Sequence, residues 1–203
     1  MSRKERVLNA AIELFARHGF NGASTSMIAR RAEVAQGTVF HHFGNKENLL
    51  VAICDDLVND YIKGIAEASE KGKNGWDALE KVLRFSQEFR RTRNDAIRVA
   101  FRDTHVLERQ HKQLHKHFCS LTQRIIEIKS RCIEQGQVDG SIRDLPVQEN
   151  ALLLHILMNG ILHVETMGLV ELPELDMEML KFCRRSLAAG DRNSGTEINN
   201  DGK

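Results

Sequence analysis

A chain of 203 residues, 41% hydrophobic and 28% charged, is long enough for one large or two small domains and has the composition of a soluble protein. No apolar run approaches the ~18–20 residues that cross a bilayer, and the first residues lack a signal-peptide core, which predicts a cytoplasmic protein. The net charge of +1 is unevenly placed: residues 1–50 hold seven Lys/Arg against four Asp/Glu and the remainder is slightly acidic. That suits a duplex-binding head on a near-neutral body better than a chain that coats nucleic acid.

Two prolines, Pro146 and Pro173, permit long helices, and no strand signal or internal repeat is visible, so the predicted class is all-α. The first helix spans residues 3–18, with Leu8, Ala11, Ile12 and Phe15 at helical spacing and Gly19 as its left-handed terminator. Arg3, Lys4 and Arg6 form a basic arm that either reaches phosphates or frays into solvent. Ser24 is placed to cap a second helix, in which Ile28, Ala29, Ala32 and Val34 supply the packing positions. A third begins near Ala35 or Gln36 and buries Val39 and Phe43, four apart. That leaves Gln36, Gly37, Thr38, Phe40, His41 and His42 on or near the free side. A support helix followed by a helix that offers polar N-terminal residues is the plan of a helix-turn-helix, and its nearly uncharged face suits base reading more than bulk phosphate affinity.

Gln36-Gly-Thr-Val-Phe-His-His-Phe-Gly-Asn-Lys-Glu-Asn-Leu-Leu50 resembles the TetR-family signature Lys-Gly-Thr-Leu-Tyr-(His/Tyr)-(His/Tyr)-Phe, then a turn, then Lys-Glu-x-Leu-Leu. The likeness reaches back through Ala10-Ala-Ile-Glu-Leu-Phe-Ala-Arg-His-Gly-Phe20 and covers about the first fifty residues. The resemblance implies base and phosphate contacts from Gln36 and Thr38, close backbone approach at Gly37, backbone contacts from His42 and Lys46, and phosphate contacts from Ser24, Thr25 and Ser26, the last of which sometimes meets a base. Phe40 departs from the usual tyrosine, which removes a phenolic donor and leaves an apolar contact, against a thymine methyl or a sugar.

The body follows. Asn45 caps a fourth helix that runs to about residue 70 with Leu49, Leu50, Ile53, Leu57 and Ile62 on its apolar face. A fifth spans Trp76–Arg91, and a short sixth ends near Arg102, with Asp103 or Thr104 placed to cap what comes next. The seventh, about 105–135, carries the stripe Leu107, His111, Leu114, Phe118, Leu121, Ile125, Ile128, Cys132 and closes at Gly136 and Gly140. Pro146 and Pro173 open the last two helices. The expected domains are thus a helix-turn-helix head at 1–46, a six-helix ligand-binding and dimerisation body at 47–189, and a disordered tail at 190–203.

The last two helices look too apolar for exposure on both sides. The resemblance implies that they form a four-helix bundle with a second copy, which assigns dimerisation to Leu154, Met158, Ile161, Leu162, Leu175, Met179, Phe182 and Cys183. It also implies a palindromic duplex operator, a homodimer and a small-molecule inducer held among the middle helices. Placement by periodicity nominates Arg98, Phe101, His111, Phe118, His155 and Glu165 for that inducer. His111, the polar member of the stripe, reads as a paired core histidine, a ligand contact or, with His115 at i+4 and Glu108 one turn before, a metal ligand. A metal-responsive regulator is therefore the alternative. Cys54, Cys119, Cys132 and Cys183 lie far apart and read as free thiols rather than a redox switch. No nucleophile–base pair, glycine-rich phosphate loop or carboxylate pair is legible, so no enzyme and no cofactor are expected.

Overall fold

The computed structural model describes residues 1–108, 112–166 and 174–190, without the side chains of 104–108 and 112–115. Within them lie nine helices and no strand: α1 (Arg3–Gly22), α2 (Thr25–Arg31), α3 (Gln36–Phe43), α4 (Lys46–Glu70), α5 (Gly75–Thr92), α6 (Asn94–Glu108), α7 (Lys112–Asp139), α8 (Val147–Thr166) and α9 (Leu175–Leu187). The all-α expectation is met. The tail from 191 onward lies outside the described residues.

Two apolar cores organise the chain. The first gathers Val7, Ala11, Phe15, Ile28, Val39 and Phe43 from the three head helices with Leu49, Leu50 and Ile53 of α4 and Val99 of α6. The second joins Ile65, Leu79, Val82, Leu83, Leu121, Ile133, Leu154 and Met179 in the body. Each fully buried leucine contributes about 1.5–3 kcal/mol. Helix α4 enters both, and Phe118 of α7 packs against both. The cores are therefore physically continuous.

Several boundaries differ from the periodicity reading. Gly19 (φ +73°) kinks α1 instead of ending it, because its ψ of 164° lets the chain resume a last turn to Gly22. Ser2, not a free arm, precedes α1: its hydroxyl accepts from the Glu5 amide while Glu5 accepts from the Ser2 amide. Arg3, Lys4 and Arg6 consequently sit in the first helical turn. Helix α6 runs past Arg102 to Glu108, so Asp103 is a buried mid-helix residue gripped by Arg102 and not a cap. The stripe at 107–132 therefore spans two helices, although Leu121, Ile125 and Cys132 do face the core.

Gly136 lies inside α7, which ends at Asp139 before Gly140 (φ +77°). It is small for a packing reason: α5 crosses there so closely that a Cβ on Gly75 would stand 2.0 Å from the Gly136 nitrogen. The first amides of α5 are satisfied by side chains, Gly75 donating to Asp139 at 2.7 Å, Trp76 to Ser141 at 3.0 Å and Asp77 to Asn74 at 2.8 Å. Sequence-distant groups thus pin the start of the body's central helix.

Candidate nucleic-acid interface and effector cavity

Ser24 caps α2, its hydroxyl accepting from the Met27 amide at 3.2 Å and lying 2.8 Å from the Ser26 hydroxyl. Ser26 is exposed and Thr25 half-buried. The turn into α3 passes through Glu33 at φ +53°, a left-handed conformation for a residue with a Cβ. Helix α3 then starts at Gln36 with Ala35 as an N-cap that offers no side-chain acceptor, and in its first turn the Thr38 amide donates to the Ala35 carbonyl at 2.9 Å. Val39 and Phe43 are buried as expected, while Gln36, Gly37, Phe40, His41 and His42 are exposed and Thr38 is half-exposed. Nothing lies within 4 Å of where a Gly37 side chain would begin. Phe40 is 49% exposed, an apolar ring held in solvent on the outward side of α3.

Lys46 behaves differently from its neighbours. Its ammonium donates to the carbonyl oxygens of Phe20 at 2.8 Å and Ala23 at 3.2 Å, and stands 4.3 Å from the centre of the Phe20 ring. These carbonyls belong to the end of α1, where a cation suits the helix dipole. Two of its three donors are thus engaged within the head.

The cavity lies in the body, with a volume of about 390 Å³, in the range of small-molecule sites. Its wall is drawn from α4 (Cys54, Leu57, Val58, Tyr61), α5 (Ser86, Phe89, Arg90), α6 (Ile97, Ala100, Phe101), α7 (Phe118, Leu121, Thr122, Ile125) and α8 (His155, Met158, Asn159, Leu162). Of the six ligand candidates, Phe101, Phe118 and His155 line it. Arg98 is exposed and not in the wall, Glu165 lies behind the wall on Arg90, and His111 lies outside the described residues. The polar wall groups are largely paired. Ser86 donates to the Val82 carbonyl at 2.7 Å, so Tyr61, 2.8 Å away, donates to Ser86. Asn159 donates to His155 Nε2 at 2.9 Å, and burial, with nearby Lys129, pushes the imidazole down to about 4, so it is neutral at pH 7.

Sequence reading missed Tyr61, Ser86 and Arg90. A signal existed: Ser86 and Arg90 fall in helical phase with Leu79, Val82 and Leu83, so their polar side chains had to enter the interior.

Five of the eight residues assigned to dimerisation, Leu154, Met158, Ile161, Met179 and Cys183, are buried within the protomer's own core. Leu162 and Leu175 are half-buried, and Phe182 alone of the eight is exposed, at 55%. The outward apolar residues of α8 and α9 are instead Leu152, Leu153, Ile156, Met177 and Phe182. Periodicity found the apolar positions, and five of the eight already face the protomer's own core. Among the described residues no three His, Cys, Asp or Glu side chains come together as metal ligands; His111 and the side chain of His115 fall outside them.

Residues 7–53 match the family model described as bacterial regulatory proteins, tetR family. A transcriptional regulatory protein of Mycobacterium tuberculosis, RaaS, is 45% identical over 34% of this chain and 32% of its own length. The transcriptional repressor AcnR of Corynebacterium diphtheriae is 28% identical over 56% of this chain and 66% of its own. The chain thus spans less than two thirds of the length of these curated relatives. A crystal structure of a bacterial regulatory protein in the tetR family from Rhodococcus RHA1 superposes with a TM-score of 0.75 at 19% identity, over 94% of this chain and 100% of that one. At that identity the likeness is one of fold, and it extends through the body, where the family model does not reach. Head sequence and whole-chain fold agree: residues 7–53 belong to the tetR family of bacterial regulatory proteins, and the chain as a whole has the fold of a solved member of that family.

Proposed function

We propose that the chain is a ligand-responsive transcriptional regulator and not an enzyme, a cytoplasmic repressor that binds a palindromic operator as a homodimer and is released when a small molecule enters the body cavity. Gln36, Thr38, Phe40, His41 and His42 face the major groove, Gly37 admits the backbone, and Arg3, Ser24, Thr25 and Ser26 meet phosphates. A two-fold dimer of such heads calls for half-sites about one or more helical turns apart.

The observation that carries the reading is the double duty of α6. Ile97, Ala100 and Phe101 form one wall of the cavity, while Val99 enters the head core and Arg102 bonds to α1. A molecule seated against α6 that favours one position of this helix shifts the head with it, and the coupling is reciprocal between ligand and operator. The second copy covers Leu152, Leu153, Ile156, Met177 and Phe182, an apolar strip otherwise left in water.

The test is selection of bound duplexes from a random pool with the purified protein. An enriched palindrome supports the reading, and release of that duplex by apolar compounds supports the cavity as effector site. Absence of enrichment at low salt from ligand-stripped protein overturns it.

A further inference from the structure

Arg90 sets the chemistry of the cavity. It lies on α5, is 8% exposed, and forms part of the cavity wall. Its Nε donates to Glu165 of α8 at 2.7 Å and its Nη2 to Asp176 of α9, which also takes Arg91 Nη2 at 2.9 Å. The remaining nitrogen, Nη1, is buried with no hydrogen-bond partner among the described residues. A guanidinium has five donors in a rigid fork, so one edge of this fork is held while the other is left unanswered.

The charge around it is already balanced. Two guanidinium groups, Arg90 and Arg91, face two carboxylates, Glu165 and Asp176. Other titratable wall residues add no positive charge at pH 7: His155 is neutral, Tyr61 is held protonated by burial, and burial pushes the Cys54 thiol up to about 12. Lys129 is close enough to act on the His155 charge but is not in the wall. A carboxylate entering at Arg90 meets one unpaired donor with two carboxylates beyond it, and the surplus cation nearby, Lys129, is fully buried and not in the wall, so the lost hydration finds little direct compensation. A neutral carbonyl gives up little and satisfies the same donor.

Resting on the reading of the cavity as an effector site, we infer that it selects an uncharged, mainly apolar molecule, aromatic or alicyclic in bulk, whose single carbonyl-type oxygen accepts from Arg90 Nη1. Phe89, Phe101 and Phe118 flank the apolar portion, and the neutral ion cluster rejects the corresponding acid.

Three naphthalenes of nearly equal shape, substituted at the same ring position, test this by calorimetry on the full chain: the methyl ketone, the ethyl hydrocarbon and the carboxylate. The ketone is expected to bind at least about tenfold more tightly than either of the others. Arg90→Lys, which keeps a cation between Glu165 and Asp176 but removes the fork, is expected to bring the ketone down to the hydrocarbon's affinity. Glu165→Gln, which leaves the cluster one charge positive, is expected to move the preference toward the carboxylate, and a melting curve on each variant verifies folding. Tighter binding of the carboxylate by the unaltered protein, or equal binding of ketone and hydrocarbon, overturns the inference while leaving the cavity reading intact. If none of the three binds, and filling the cavity with Ala100→Trp leaves operator release by apolar compounds unchanged, the cavity reading itself falls.

Discussion

Arg102 of α6 donates to the Phe15 carbonyl of α1 while the same guanidinium holds the buried carboxylate of Asp103 at 2.9 and 3.0 Å. The contact lands on the last turn before the Gly19 kink, where Arg102 Nη1 also reaches the Ala16 carbonyl at 3.4 Å. A charge-assisted, partly buried bond of this kind ties the head to the helix that walls the cavity. Arg102→Gln keeps a donor for Asp103 but loses the reach to α1. It should leave operator affinity and apolar-probe affinity within a fewfold while the ratio of probe affinities with and without operator falls toward one. Calorimetry in the presence and absence of operator measures that ratio, typically ~5–150-fold in coupled systems. An unchanged ratio would show that Arg102 carries no coupling.

Lys46 gives a sharper distinction between a phosphate contact and a structural one. Because its ammonium is held by Phe20 and Ala23, Lys46→Met should lower the melting temperature of the head, by about 1–2 kcal/mol in stability. The slope of log affinity against log salt should not change. A residue that neutralises a phosphate instead lowers that slope by about 0.9, the result expected for Arg3→Ala. Salt titrations of both variants against one operator decide it.

Gly44 sits at φ +75°, ψ −57° with the Asn45 amide bonded to the Phe43 carbonyl at 2.9 Å, a γ-turn with positive φ. A Cβ is disfavoured there whatever the space around it. Gly44→Ala should cost about 1–3 kcal/mol and reduce operator binding, since this turn sets the angle between α3 and α4. Urea denaturation reads the first effect and a duplex-binding titration the second.

Lys129 is fully buried on α7, and its ammonium has no partner among the described residues. Burial pushes its pKa from 10.5 down to about 8. The charge is therefore destabilising below pH 8, where both folded and unfolded chains are protonated. Between about 8 and 10.5 the unfolded chain binds the extra proton, so this group's contribution to stability rises with pH, by about 3 kcal/mol across the window. Cys132 and Cys183, raised to about 11 by burial, work in the opposite direction above pH 9, as does Cys54. Lys129→Met isolates the lysine: it should be more stable than the natural chain at pH 7 by about 1–3 kcal/mol, with the gap closing toward pH 10.5. Denaturation curves across that range test both parts.

Leu153 and Ile156 stand on the outward face of α8, 60% and 55% exposed. Replacing both by Glu should leave the protomer folded and abolish the dimer in light scattering. Substitution of buried Leu154 or Met158 should instead lower thermal stability by about 2–5 kcal/mol. A dimer that survives the double Glu variant would place the interface elsewhere.

Local signals carried the head. Ser24 and Asn45 cap their helices as read, and Val39 and Phe43 turn inward at a spacing of four, because caps and short helices depend on residues within one or two turns. What depended on distant neighbours was less legible. The α6 boundary was read at Arg102 since Asp103 resembles a cap, yet the Phe15 carbonyl, far away in sequence, keeps Arg102 and Asp103 within one continuous helix. Periodicity likewise located the apolar positions of α8 and α9 but not which neighbour each face meets, as Leu154 inward and Leu153 outward make plain.

The amino-acid sequence by itself therefore determined the helical class, the helix-turn-helix and the exposed side of residues 36–42, all properties of spacing and local hydrogen bonding. Only the tertiary structure decided that Lys46 is engaged inside the head, that Arg90 stands in the cavity wall with one unanswered donor, and that α6 serves two cores. Those three arise from groups between about twenty and ninety positions apart, brought together by packing, and no periodicity within one helix encodes them.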